Sequence, residues 1–243
     1  MEPGWGRVRG VPSLTPPRFD AVVLAGGAAR RLGGEDKPGL VVGGASLLNR
    51  VLAACAAAQR TVVVGPERAT ARPVRWTRET PPGGGPVAGL AAGLELVTAD
   101  VAVLLAADLP FLDAPTVHAL VAALPAELRA ETGAETGAGA DAVLLVDADG
   151  RDQPLAAAYR TAALRTALAQ LPAAEGAPLR AVTRGLRLLR LPDVRRAAVD
   201  CDTWDDVHEA RLRADGDAHA DGDAHADGDA RAGSPPYTPP PPR

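Results

Sequence analysis

From Phe19 onward, short apolar runs alternate with stretches whose apolar residues recur at helical spacing. Ala21–Ala25 is wholly apolar and predicts a first strand. Leu47, Leu48, Val51, Leu52 and Cys55 recur at about 3.6 residues and predict a helix, with Ser46 placed to cap it. Thr61–Val64 is short and β-branched, a second strand ended by Gly65 and Pro66. A helix over Pro86–Val97, opened by its proline, precedes Val101–Ala106. That third strand is apolar throughout, as expected at a sheet centre buried on both faces. Asp113 caps a helix through Val117, Leu120, Val121 and Leu124. Asp141–Val146 and Leu155–Tyr159 predict strands and Thr161–Leu171 a helix. Leu186–Leu191 and Ala197–Val199 follow as short strands, and Asp205–Leu212 closes the series as an amphipathic helix. Such alternation implies a three-layer, Rossmann-like α/β domain with a mostly parallel sheet. Ligands in such sheets bind outside the carboxyl ends of the strands. The first strand ends in a glycine-rich loop and the third at Asp108, so both fall on one edge of the sheet.

The pattern fades at both ends. Residues 1–18 are rich in proline, glycine and arginine and read as a flexible leader, leaving 19–213 as the domain. Within it, the near-duplication ETGAETGAGA in 126–140 reads as a surface loop. Residues 214–243 repeat ADGDAH, end SPPYTPPPPR, and offer little apolar surface to offset ordering entropy, so they read as a disordered tail. His219 and His225 belong to this solvated repeat, whose period of six also differs from calcium-binding nonapeptides.

Composition narrows the classes. Apolar residues make up 47% of the chain and aromatics 3%, which describes an aliphatic core. The formal net charge is −4, and the six Asp and two Arg of residues 214–243 account for all of it. The domain is therefore near neutral and carries no basic footprint for nucleic acid. Cys55 and Cys201 fit no metal spacing and read as free thiols. No secretory h-region and no apolar run of about 20 residues occurs, so the expectation is a cytoplasmic protein with no membrane span.

The chemistry gathers in FDAVVLAGGAARRLGGEDKPGL, residues 19–40. Glycines let a backbone approach an anion closely, and successive amides in such turns form anion sites. Arg30, Arg31 and Lys37 add positive charge nearby. The loop is not a P-loop, because Lys37 is followed by Pro38, and G-x-G-x-x-G is absent. Asp108, at the end of a buried strand beside this loop, suits Mg²⁺, which is commonly held by one or two carboxylates plus substrate phosphates. Asp200 and Asp202 alternate, so at a strand end their side chains would point the same way.

The segment LAGGAARRLGGEDK resembles the nucleotidyltransferases with L-A-G-G/A-x-x-x-R-[ML]-G-x-x-K, and looks most like bacterial molybdenum cofactor guanylyltransferases. PPGGGPVAGLAAGL (81–94), VAVLLAADLPFL (101–112), DGRDQPLAAAYR (149–160) and AVDCDTWDDV (198–207) extend the resemblance in the family's order. It implies a fold of the nucleotide-diphospho-sugar transferase type. It also implies transfer of GMP from GTP to molybdenum-loaded molybdopterin, with Mg²⁺ as cofactor and molybdoenzymes or their chaperones as recipients. By the same resemblance Leu24, Ala25, Gly26, Gly27, Lys37, Glu79 and Asp108 contact the nucleotide. Arg31, Lys37 and Asp108 are catalytic, Asp108 holds the metal, and Asp200 and Asp202 face the acceptor. Gly65 stands where the family often has Asn, and Trp204 where it has proline. Alternatives are a cytidylyltransferase, a nucleotidyltransferase with another acceptor, or a catalytically silent GTP-binding partner protein.

Overall fold

The computed structural model describes residues 17–27, 32–124 and 139–226. Residues 1–16 of the leader, 126–138 of the loop, Arg30, Arg31 and residues 227–243 of the tail lie outside them. β1 (Phe19–Leu24) leads through the glycine loop to a hairpin, β2 (Val41–Val42) and β3 (Ala45–Ser46), then α1 (Leu47–Ala54). β4 (Thr61–Val64), β5 (Arg75–Thr77), α2 (Gly85–Leu94), β6 (Val101–Ala106) and α3 (Ala114–Ala123) follow. The second half runs β7 (Ala142–Val146), β8 (Asp152–Arg160), α4 (Thr161–Ala169), α5 (Leu179–Thr183), β9 (Leu188–Pro192) and α6 (Trp204–Ala226).

Seven strands form one sheet in the order β5-β4-β1-β6-β8-β7-β9. β1 pairs in parallel with β4 and β6, β5 with β4, and β9 with β7. Only β8 runs antiparallel to its neighbours β6 and β7, so the sheet is mostly parallel as expected. β6 is the middle strand, which explains its unbroken apolar sequence. Successive side chains on a strand face opposite layers. Thus Ala21, Val23, Val103 and Leu105 pack with Leu48, Val51, Val117 and Leu120 of α1 and α3. Val22, Val62, Leu104 and Ala157 pack on the other side with Leu90, Leu164 and Val182 of α2, α4 and α5.

The two caps read from sequence form: Ser46 Oγ accepts the Asn49 amide at 3.3 Å, and Asp113 Oδ1 accepts that of Thr116 at 2.8 Å. Asp20, fully buried at the start of β1, accepts the Thr98 amide at 2.7 Å and the Ala99 amide at 3.1 Å, fastening the approach to β6.

α2 lies close on the sheet because its facing residues are glycines. A Cβ at Gly93 would stand 2.6 Å from Val22 Cγ1 and 2.9 Å from Val64 Cγ2, whereas at Gly89 the nearest atoms are an ordinary 3.5 Å away. Gly93→Ala is therefore expected to destabilise the fold by about 1–3 kcal/mol through overpacking. Gly89→Ala is expected to be neutral or stabilising by up to about 1 kcal/mol through helix propensity. Denaturant unfolding of the two variants reads the contrast.

Two elements differ from expectation. Ala197–Val199 is a turn, not a strand. The Asp193 carboxylate takes the Ala197 and Ala198 amides at 2.8 Å each, and Arg196 sits at φ 59°, which no strand accommodates. The last helix runs to Ala226, past the expected end at Leu212 and into the alanine-containing repeat. Its first turns cover the hairpin, where Val207 and Ala210 pack on Val42 and Leu47, and Ala214 adjoins them. The boundary expected at residue 214 thus falls inside a helix whose residue there still packs on the domain. Among the described residues, no helix is long and apolar enough to cross a membrane.

Candidate active site

The glycine loop starts from a rigid point. Ala25 donates its amide to Val64 O at 2.8 Å and Leu24 O accepts from the Ala107 amide at 3.0 Å, so the end of β1 is bonded to β4 on one side and to the end of β6 on the other. Gly26 and Gly27 then emerge at the surface, with no heavy atom within 4 Å of where a Cβ would stand, and Gly27 takes φ +140°. Their backbone is free to approach an anion.

Gly65, at the end of β4, has a different reason to be glycine. A Cβ there would lie 2.8 Å from Ala25 O and 3.1 Å from Gly26 N, and φ is +148°. The glycine that departs from the expected family pattern thus lets the end of β4 pack directly on the root of the loop.

The chain returns from the loop through Asp36 into a 3₁₀ turn, Lys37–Gly39, set by Pro38. Lys37 is 14% exposed, and its Nζ pairs with Asp108 Oδ2 and, at 2.6 Å, with Asp202 Oδ1. Burial disfavours the ammonium, but the two carboxylates outweigh that cost and hold its pKa above the usual lysine value. Carboxylate oxygens of Asp108, Asp200 and Asp202 lie within 4.8 Å of one another. Burial, then the charges of Asp202 and Asp108, push Asp200 above the usual carboxylate range, although the residue as a whole is exposed. Asp108 Oδ1 is buried and accepts no hydrogen bond from the described residues. A buried lone oxygen in a set of three carboxylates is the donor chemistry a hard divalent cation takes, so these residues fit Mg²⁺.

Lys37, Asp108, Asp200 and Asp202 are therefore brought together, although no strand carries Asp200 and Asp202. Asp200 and Asp202 follow the turn held by Asp193. Glu79 is not among them: its Oε1 accepts the Gly83 amide at 2.9 Å and shapes the entry to α2. Arg31 lies outside the described residues. The buried Cys201 thiol, pushed up to about 12 by burial and the Asp108 charge, is no nucleophile at neutral pH. Sequence reasoning passed over Arg68 and Asp36. Arg68 Nη2 pairs with Asp36 Oδ1 at 2.8 Å and its Nη1 donates to Ala25 O at 3.3 Å. The available signal was a cation three residues past Gly65, on the edge where the glycine loop begins.

A glycine loop, a half-buried lysine and an acidic cluster at the carboxyl edge of this sheet define a fold of the nucleotidyltransferase type. Residues 21–193 match the MobA-like NTP transferase domain, and the chain belongs to that family of nucleotidyltransferases. It is 38% identical over 121 residues to the molybdenum cofactor guanylyltransferase of Bradyrhizobium sp., covering 46% of this chain and 57% of that protein. The chain thus spans little more than half the length of the curated relatives it matches. The fold is shared with molybdopterin-guanine dinucleotide biosynthesis protein A of Archaeoglobus fulgidus, with TM-score 0.57, 22% identity, and 81% of this chain and 99% of that one covered. It is shared equally with 2-C-methyl-D-erythritol 4-phosphate cytidylyltransferase of Thermus thermophilus, with TM-score 0.55, 21% identity, and 80% and 98% covered.

Proposed function

We propose that this protein transfers GMP from GTP to molybdopterin carrying molybdenum, forming molybdopterin guanine dinucleotide and pyrophosphate. The observation that carries the reading is the Lys37 ammonium held between Asp108, beside the glycine loop, and Asp202, on the C-terminal segment. One cation thereby stands where a nucleotide phosphate and an acceptor phosphate would meet. The relatives named as guanylyltransferases favour guanine as the base.

Gly26 and Gly27 would receive the nucleotide phosphates on backbone amides, with Leu24 and Ala25 forming the bonded strand end beneath the nucleotide and Glu79 near the base. An oxygen of the pterin's terminal phosphate attacks the α-phosphorus in line, the bond to the β-phosphate oxygen breaks, and pyrophosphate leaves. Lys37, with Arg31, stabilises the negative charge that grows on the transferring group. Asp108, with Asp200 and Asp202, would hold Mg²⁺, which supplies charge neutralisation of the phosphates when bound. Asp200 and Asp202 stand on the acceptor side. No covalent protein intermediate is needed.

Purified protein incubated with Mg²⁺, molybdopterin and each nucleoside triphosphate in turn is expected to release pyrophosphate with GTP. Mass spectrometry should then find the guanine dinucleotide. A preference for CTP overturns the guanylyl assignment, and GTP binding without any product overturns the enzymatic one.

A further inference from the structure

Arg68 makes no hydrogen bond or ion pair with the acidic cluster among the described residues, yet 16% of its side chain is exposed, close to Lys37 at 14% and Asp108 at 17%. Its two partners bracket the glycine loop. Ala25 O, at 3.3 Å from Nη1, is the last residue before Gly26. Asp36 Oδ1, at 2.8 Å from Nη2, is the residue before Lys37. The guanidinium fork, with its donors in fixed relative positions, spans the mouth of the loop from one side to the other. Asp36 is itself seated by the absence of a side chain at Gly39, where a Cβ would stand 2.6 Å from Asp36 Oδ2. Arg68 is carried there by β4, whose last residues are in register with β1 and whose Gly65 packs on Ala25.

We infer that Arg68 is a positioning residue for nucleotide binding: through Ala25 and Asp36 it fixes the separation of Gly26 from Lys37, and so the gap that a polyphosphate must bridge. The inference rests on the proposed nucleotidyl transfer for its ligand, but the tie itself is a property of the ligand-free chain. A lysine cannot replace it, because one ammonium on a flexible stem does not hold two acceptors in a fixed fork. A direct role of Arg68 on a phosphate makes the opposite forecast for Asp36. If Arg68 were a phosphate ligand, removing Asp36 would free it and leave binding intact or improved. If Arg68 is a tie, removing Asp36 must reproduce the loss of Arg68.

The test uses full-length protein and the variants Arg68→Ala, Arg68→Lys, Asp36→Ala and the Arg68→Ala/Asp36→Ala double variant. GTP affinity is measured by calorimetry with Mg²⁺, and hydrogen exchange is followed in peptides containing Gly26–Gly27 and Leu32–Lys37 without nucleotide. Each single alanine variant is expected to weaken GTP binding by about tenfold, as for loss of a charge-assisted contact. Arg68→Lys should recover less than half of that loss, and the double variant should be no weaker than Arg68→Ala alone. Loop-peptide exchange should rise in every alanine variant, while the melting temperature stays near that of the parent. GTP binding unchanged in Arg68→Ala, or intact binding in Asp36→Ala, overturns the inference. So does a double variant whose losses simply add. If the parent protein binds no nucleotide, the transfer reading fails by itself. The exchange data then still decide the tie, since unchanged exchange in Arg68→Ala overturns it.

Discussion

Asp108→Asn is expected to cut pyrophosphate-releasing turnover by about 100-fold or more, the scale set by removing one preorganised charge-stabilising group. The substitution is nearly isosteric, so the central strand that presents it, apolar and buried from Val101 to Leu105, stays packed. What changes is charge. Lys37 loses its pairing with Asp108, and the buried Oδ1 loses its affinity for a divalent cation. The same change removes one of three carboxylates lying within 4.8 Å of each other, so thermal stability should hold or rise while activity collapses. A steady-state pyrophosphate assay run across a Mg²⁺ titration, beside a thermal melt, reads both. Near-parental turnover would falsify the assigned role.

Lys37→Met carries the second large effect, with two opposite signs. Turnover should again fall by about 100-fold or more, because no other described cation pairs with both Asp108 and Asp202. Yet the nucleotide-free variant should bind Mn²⁺ more tightly than the parent, by about tenfold, because the ammonium no longer competes for the Asp108 and Asp202 oxygens. Electron paramagnetic resonance of free Mn²⁺ measures this without any catalysis. The parent's own affinity should not rise through loss of the Lys37 proton at neutral pH. A lysine whose folded pKa is raised stays charged below its unfolded value, and its contribution is lost only as pH climbs through the folded one. Equal Mn²⁺ affinity in variant and parent would show that the ammonium does not compete.

Much of this site was legible because strands announce where they end. Val101–Ala106 reads as a buried strand and is one, so Asp108 had to emerge at the edge where Ala25 emerges. Lys37 was legible by its distance from the glycines. Asp200 and Asp202 were found with a faulty argument: no strand aligns them, and the Asp193 carboxylate folds the preceding segment into a turn instead. That bond joins a side chain to amides four and five residues on, and leaves no trace in apolar periodicity. β5 and the β2–β3 hairpin were missed because two or three residues carry no period to count. Arg68 was missed for a different reason. Its partners lie 43 residues away at Ala25 and 32 away at Asp36, and only the pairing of β4 with β1 brings them near. Gly65 shows the converse, since a glycine read as a lost side chain is required by backbone contact at 2.8 Å.

The bond from Lys37 to Asp202 crosses 165 residues of sequence. On the ribosome the glycine loop is made early and its acidic partner near the end. A growing chain can therefore complete the sheet edge around β1, β4 and β6 well before it can close the catalytic cluster. Until the segment beyond β9 has been synthesised and has folded back, Lys37 faces Asp108 alone. On the proposed reading, such a chain would hold the nucleotide side of the site without its acceptor side.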